Sequence, residues 1–231
     1  MKKYLIYFKT GVLVIMISLV SCKKESSGGE GGGGSEGGEP LLIHAIIENG
    51  DYFDGRISTI KALLGNDKKV NAIATATCEN NEFEITLPGT ISGKYLYSWP
   101  AGFKGTISDP RAKIGGTSLR AYDSKNKEIG DVLNCSLYGN GSVLYFVFYY
   151  YADRDVTITG NMNNEYSLKI EFDLSFKKGW NLVYEKIVFN EEKYDYFLTT
   201  QEPSDVIFKW YCSDVSMNPS ATNIFPFTSL R

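Results

Sequence analysis

From Tyr166 to Phe176 the chain alternates without a break. Tyr166, Leu168, Ile170, Phe172, Leu174 and Phe176 are apolar; Ser167, Lys169, Glu171, Asp173 and Ser175 between them are polar. Neighbouring side chains of an extended strand point to opposite faces, so a period of two over eleven residues predicts a strand with one buried and one wet face. Lys177-Lys178-Gly179 follows as a tight turn, its glycine suited to a left-handed backbone. Trp180 to Phe189 is expected to return as the partner strand.

The same reading extends along the chain. Val206 to Cys212 places Val206, Phe208, Trp210 and Cys212 on one face. Val143 to Tyr151 is apolar on both faces and belongs in the most covered part of a sheet. Further strands are expected at 117–123, 129–137, 156–162 and 194–200, separated by turn residues at 123–126, 139–141 and 163–164. Leu41 to Glu48, Val70 to Cys78 and Phe83 to Leu87 give strands in the earlier half. Ile57, Ile60 and Leu64 also fit a helical spacing, but Gly55 and Gly65 bracket only nine residues, which favours a strand. The expected class is all-β and antiparallel: a small sandwich over 41–103 and a larger antiparallel meander over 104–231, closed as a sandwich or a barrel. Pro100, Gly102 and Gly105 mark the boundary.

Ahead of this body, Lys2, Lys3 and Lys9 flank an apolar run from Gly11 to Val20. About ten residues make the core of a signal peptide; a spanning helix needs about twenty. The run ends in Leu19-Val20-Ser21-Cys22, which resembles a bacterial lipobox. The resemblance implies a signal over 1–21, small residues admitted by the peptidase, and a Cys22 thiol that takes the lipid. Lys23-Lys24-Glu25 resembles the surface-export signals of Bacteroidota lipoproteins, which implies the outward face of the outer membrane. Residues 22–40 then form a tether. Eight of the fifteen residues from Ser26 to Pro40 are glycine, too few apolar groups to offset the entropy of ordering. Its reach is roughly 20 Å. A phosphate loop is excluded, because Gly31 to Gly34 follows no strand and precedes no Gly-Lys-Ser/Thr.

Without the signal, 21 basic residues face 27 acidic ones, a net charge near −6, which argues against nucleic acid as a partner. The single histidine, His44, sits in the apolar run from Leu41 to Ile47 and reads as a strand residue near the domain edge. A Ser-His-Asp or Cys-His centre would have to use it at the mouth of the tether. No His/Cys grouping has zinc spacing, and Asp51-Tyr52-Phe53-Asp54 and Asp153-Arg154-Asp155 lack the glycine and distal glutamate of a calcium loop. Both read as turns, and no metal or cofactor is implied. Cys78, Cys135 and Cys212 admit at most one disulfide and read as buried thiols.

Four segments carry a wider resemblance: Phe83 to Pro88, Asp153 to Gly160, Lys178 to Tyr184, and Lys209-Trp210-Tyr211. Together they resemble a set recurring in surface lipoproteins of Bacteroidota. The earlier half is similar to a transthyretin-like sandwich, and fimbrillins combine such sandwiches with a lipobox. The resemblance implies a structural scaffold and brings no active site with it.

Tyr95, Tyr97 and Trp99 alternate along one segment. They are the candidate ligand contacts, as a stacking platform for sugar rings or a protein partner; the competing reading, which carries more weight, is core or interface packing. Tyr149, Tyr150 and Tyr151 favour core more strongly. The expected function is a membrane-anchored, non-catalytic binding or accessory module for glycan or an envelope protein. The alternatives are a fimbria-like assembly subunit and a glycoside-acting enzyme with paired carboxylates. A barrel lumen for an apolar ligand competes with Phe172, Leu174 and Phe176 simply filling the interior.

Overall fold

The computed structural model describes residues 38–66, 69–99, 103–138, 142–163, 169–189 and 194–213. Cys22, the signal, most of the tether, Tyr166 to Leu168 and the turns at 139–141 and 164 lie outside them. The described elements are strands and two short 3-10 turns. The strands are β1 (Leu41–Ile46), β2 (Thr59–Asn66), β3 (Lys69–Glu79), β4 (Glu82–Leu87), β5 (Tyr97–Ser98), β6 (Lys104–Ile107) and β7 (Lys113–Tyr122). They continue as β8 (Glu128–Tyr138), β9 (Val143–Ala152), β10 (Val156–Asn163), β11 (Lys169–Phe176), β12 (Gly179–Phe189), β13 (Tyr194–Thr199) and β14 (Lys209–Cys212). The protein is all-β, and the ambiguous segment around Ile57 to Leu64 is a strand.

One hydrogen-bonded path runs β1-β4-β3-β2-β7-β8-β9-β12-β13-β11-β10-β6, with β5 on β7 and β14 on β8. It is open, ending at β1 and β6. β2 pairs with β7 over Thr59–Leu64, so hydrogen bonding continues across the 103/104 boundary. β7 also forks: its start, Ile114–Thr117, pairs with β9, and its end, Leu119–Tyr122, pairs with β8.

The fork explains why β9 is apolar on both faces. Tyr149 packs in a first core with Ile43, Ile60, Phe83, Ile85, Leu87 and Leu119. Phe146, Phe148 and Tyr150 face a second core with Ile158, Ile170, Phe172, Leu174, Phe176 and Leu198. Phe172, Leu174 and Phe176 are 3%, 1% and 2% exposed, so they fill the interior of the second core. Each such side chain contributes about 1.5–3 kcal/mol by leaving water.

Two expectations are corrected. Trp180 to Phe189 is not the ladder partner of β11: β13 lies between them, antiparallel to β12 and parallel to β11. The sheet is therefore mixed rather than wholly antiparallel. β11 and β12 leave the turn together, with Gly179 at φ 102° and the Asn181 carboxamide accepting from Lys177 N–H at 2.8 Å. They then diverge, and β13 supplies the backbone partners that each would otherwise lack. Thr200 closes the wedge, its N–H donating to the Asp173 carbonyl at 3.3 Å and its hydroxyl accepting from Ser175 N–H at 2.9 Å.

The C-terminal strand ties the early half to the centre. Trp210 meets Phe83 edge-on at 5.8 Å and stacks on Tyr149 at 6.4 Å. The Asn49 carboxamide stands in for a strand, donating to the Cys212 carbonyl and accepting from Cys212 N–H, both at 2.8 Å.

At the other end, Gly105 of β6 faces Gly160 of β10. Gly160 has φ +141°, and a Cβ there would meet the Lys104 carbonyl oxygen and lie 2.5 Å from Gly105 Cα. Gly160→Val is expected to cost about 2–3 kcal/mol from strain and overpacking, read as a lower urea midpoint. An unchanged midpoint would show that the two backbones do not need this approach.

Candidate functional site

The sequence candidates do not share one exposed row. Tyr97 and Trp99 turn into the second core, and Tyr95 packs with Leu64, Ile91 and Tyr151. The Tyr97 hydroxyl accepts from Gly116 N–H at 3.4 Å, and burial pushes its pKa up to about 12. Trp99 is edge-on to Phe103 at 5.5 Å and to Phe172 at 5.3 Å. Tyr150 and Tyr151 are 2% and 4% exposed and belong to the packing as well.

A different set of aromatics lines an open groove of about 360 Å³. Its floor comes from three adjacent strands. Lys186 of β12 is directly opposite Tyr145 of β9 on one side and Phe197 of β13 on the other. The next rung carries Tyr184 opposite Thr199. Gln201, Glu202, Pro203 and Ser204 form the wall. Alternation makes this arrangement necessary: Tyr184 and Lys186 share the outer face of β12, and Val183, Glu185 and Ile187 point into the second core.

The Lys186 ammonium lies 6.0 Å from the Tyr145 ring centroid and 5.9 Å from that of Phe197, a cation held between two π faces. Phe208 comes back from the wall loop, edge-on to Tyr145 at 6.4 Å and tilted against Tyr184 at 5.7 Å. Burial, with the Glu202 carboxylate adding to it, raises the Tyr184 hydroxyl pKa, so Tyr184 is a neutral hydrogen-bonding group at physiological pH. Glu202 is the one carboxylate among the described residues lining the groove.

Directly behind the floor is Glu185. It is 0% exposed and its carboxyl oxygens have no hydrogen-bond partner. Burial in the apolar core pushes its pKa up to about 8. Burial raises the hydroxyl pKa of Tyr150 and of Tyr196, and the Glu185 charge adds to both.

The remaining candidates have structural partners. His44 Nε2 is 2.6 Å from Glu82 Oε1 on the exposed face of edge strand β1. Asp153 accepts from Lys113 N–H, and Asp155 from Lys178 N–H and Lys177 Nζ, so both organise turns. Cys78, Cys135 and Cys212 are not joined to one another in a disulfide, and burial pushes the Cys135 thiol up to about 11. Among the described residues no three His, Cys, Asp or Glu side chains gather as a metal site. The void at the β7 fork measures about 20 Å³, room for one water.

Sequence reasoning missed Tyr145, Tyr184, Lys186 and Phe197 as a group. They come from three strands, and only register puts them in rungs; β9 is apolar on both faces, so nothing within it marks Tyr145. Compared with known proteins, the chain matches no family model, no curated protein and no solved structure.

Proposed function

We propose that this protein is a lipid-anchored envelope lipoprotein whose β body binds glycan through the Tyr145–Lys186–Phe197 groove, facing outward from the outer membrane. The observation that carries the reading is the transverse rung itself. Two ring faces flank a central cation, and hydroxyl, carboxamide and carboxylate groups stand on the adjoining wall. Sugar rings present the complementary surface, with apolar C–H faces for stacking and hydroxyls for the wall. The groove lies at the lower end of the roughly 300–1,000 Å³ range of ligand sites. The lipobox, the tether and the acidic balance agree with a surface role away from nucleic acid. A single wall carboxylate suits binding better than glycoside hydrolysis, which uses two.

The test is an oligosaccharide array probed with detergent-solubilised full-length protein. Phe197→Ala is expected to lower affinity about tenfold, the worth of one aromatic contact. The melting midpoint of the variant separates a lost contact from a lost fold. Equal binding by a folded Phe197→Ala protein, or an array on which the intact protein binds no sugar, would remove the reading.

A further inference from the structure

We infer that the groove selects a carboxylate-bearing sugar, with Lys186 as the contact for the carboxylate and Glu202 as an acceptor for ring hydroxyls. The inference rests on the glycan reading of the groove and narrows it. Lys186 differs from three other lysines in this half of the chain. Lys169 pairs with Glu171, Lys177 with Asp155 and Lys209 with Glu48. Lys186 has two aromatic faces as its partners instead, and no carboxylate of the described residues is in ion-pair range. Its charge therefore has no carboxylate partner among the described residues, at the middle of an aromatic-walled strip.

The ligand charge follows from what surrounds that cation. Lysine is a point charge rather than a planar fork, and a single one matches a single negative charge. Sulfated or phosphorylated chains would call for several basic residues, whereas Glu202 and a net charge near −6 on the mature chain oppose a polyanion. Glu202 is exposed on the wall beside Tyr184. It can accept hydrogen bonds from hydroxyls and would repel a second anionic group. The groove is thus bipolar, a cation at its middle rung and an anion on its wall. A uronic acid carries both required features on one ring, a carboxylate and several hydroxyl donors, with an apolar face for Tyr145 or Phe197.

The experiment compares oligosaccharides that carry a single uronic acid with their carboxyl-reduced counterparts by calorimetry on detergent-solubilised full-length protein. The acidic forms are expected to bind about tenfold tighter, as for a hydrogen bond to a charged group. The preference should shrink in about 0.5 M NaCl through screening. Lys186→Met is expected to bring the acid-to-neutral ratio to about one, and Lys186→Arg to keep most of it. A folded Lys186→Met protein that retains the preference, or intact protein that binds both forms equally, overturns this inference and leaves the glycan reading in place. Binding of neither form overturns both. Preference for a peptide C-terminal carboxylate over every sugar would likewise overturn both.

Discussion

Replacing Glu185 with glutamine should stabilise the protein by about 3 kcal/mol at pH 7 and leave it unchanged near pH 4. The Glu185 carboxyl is fully buried without a hydrogen-bond partner, and its pKa rises from 4.5 to about 8 on folding. Below pH 4.5 the group is protonated in both the folded and the unfolded chain and contributes no slope. Between 4.5 and about 8 the unfolded chain has released the proton that the folded chain retains, so stability falls with rising pH by about 1.4 kcal/mol per unit. Above about 8 both forms are ionised and the loss levels off near 5 kcal/mol. Glutamine mimics the protonated carboxyl in shape and polarity but cannot ionise. Its advantage should therefore grow steadily across that window. Urea midpoints at four pH values measure it. Parallel pH profiles for the two proteins would mean that Glu185 is solvated or paired in the folded state.

The second large effect concerns Cys22. On the proposal that Cys22 is the lipidated residue, only its thiol can form the thioether, so Cys22→Ser should abolish fatty-acid labelling of the protein. Each buried CH₂ contributes about 0.8 kcal/mol to membrane affinity, and two or three acyl chains make a stable anchor that a hydroxyl cannot replace. Metabolic labelling with an alkyne fatty acid, followed by mass analysis of the mature N-terminus, measures this. Label retained on the serine variant would place the lipid elsewhere or show that the labelled species is another protein.

Most of the strands were legible because they advertise themselves locally; β6 was not, since Gly105 reads as a boundary residue and instead pairs with Gly160. Phe83, Ile85 and Leu87 alternate with polar neighbours, and all three are buried in β4. The two-faced apolarity of β9 also translated directly into two cores sharing one strand. Strand order was less legible. A Lys-Lys-Gly turn between two alternating segments has the pattern of a hairpin, yet β13, a segment further along the chain, enters between them. Its pairing depends on the divergence of β11 and β12, a property of sheet twist that no residue spells out.

The candidate site shows the same division. Tyr95, Tyr97 and Trp99 alternate, and alternation alone cannot tell a core face from a wet one in a two-residue strand. Tyr145, Lys186 and Phe197 form their rung only after two registers are set. Phe208 joins them as alternation from Val206 had it, on the same face as Trp210: Phe208 meets Tyr145 and Trp210 meets Tyr149, both on one face of β9.

On the proposed function, the rung of Tyr145, Lys186 and Phe197 is where the β body meets a sugar, and a crystal structure of the protein with the tightest oligosaccharide from the array would show it. A sugar ring over Tyr145 or Phe197, within reach of Lys186 and the 201–204 wall, is the predicted result. A sugar seated on the edge of β1, against Tyr95, or anywhere else off the β9–β12–β13 face would contradict it.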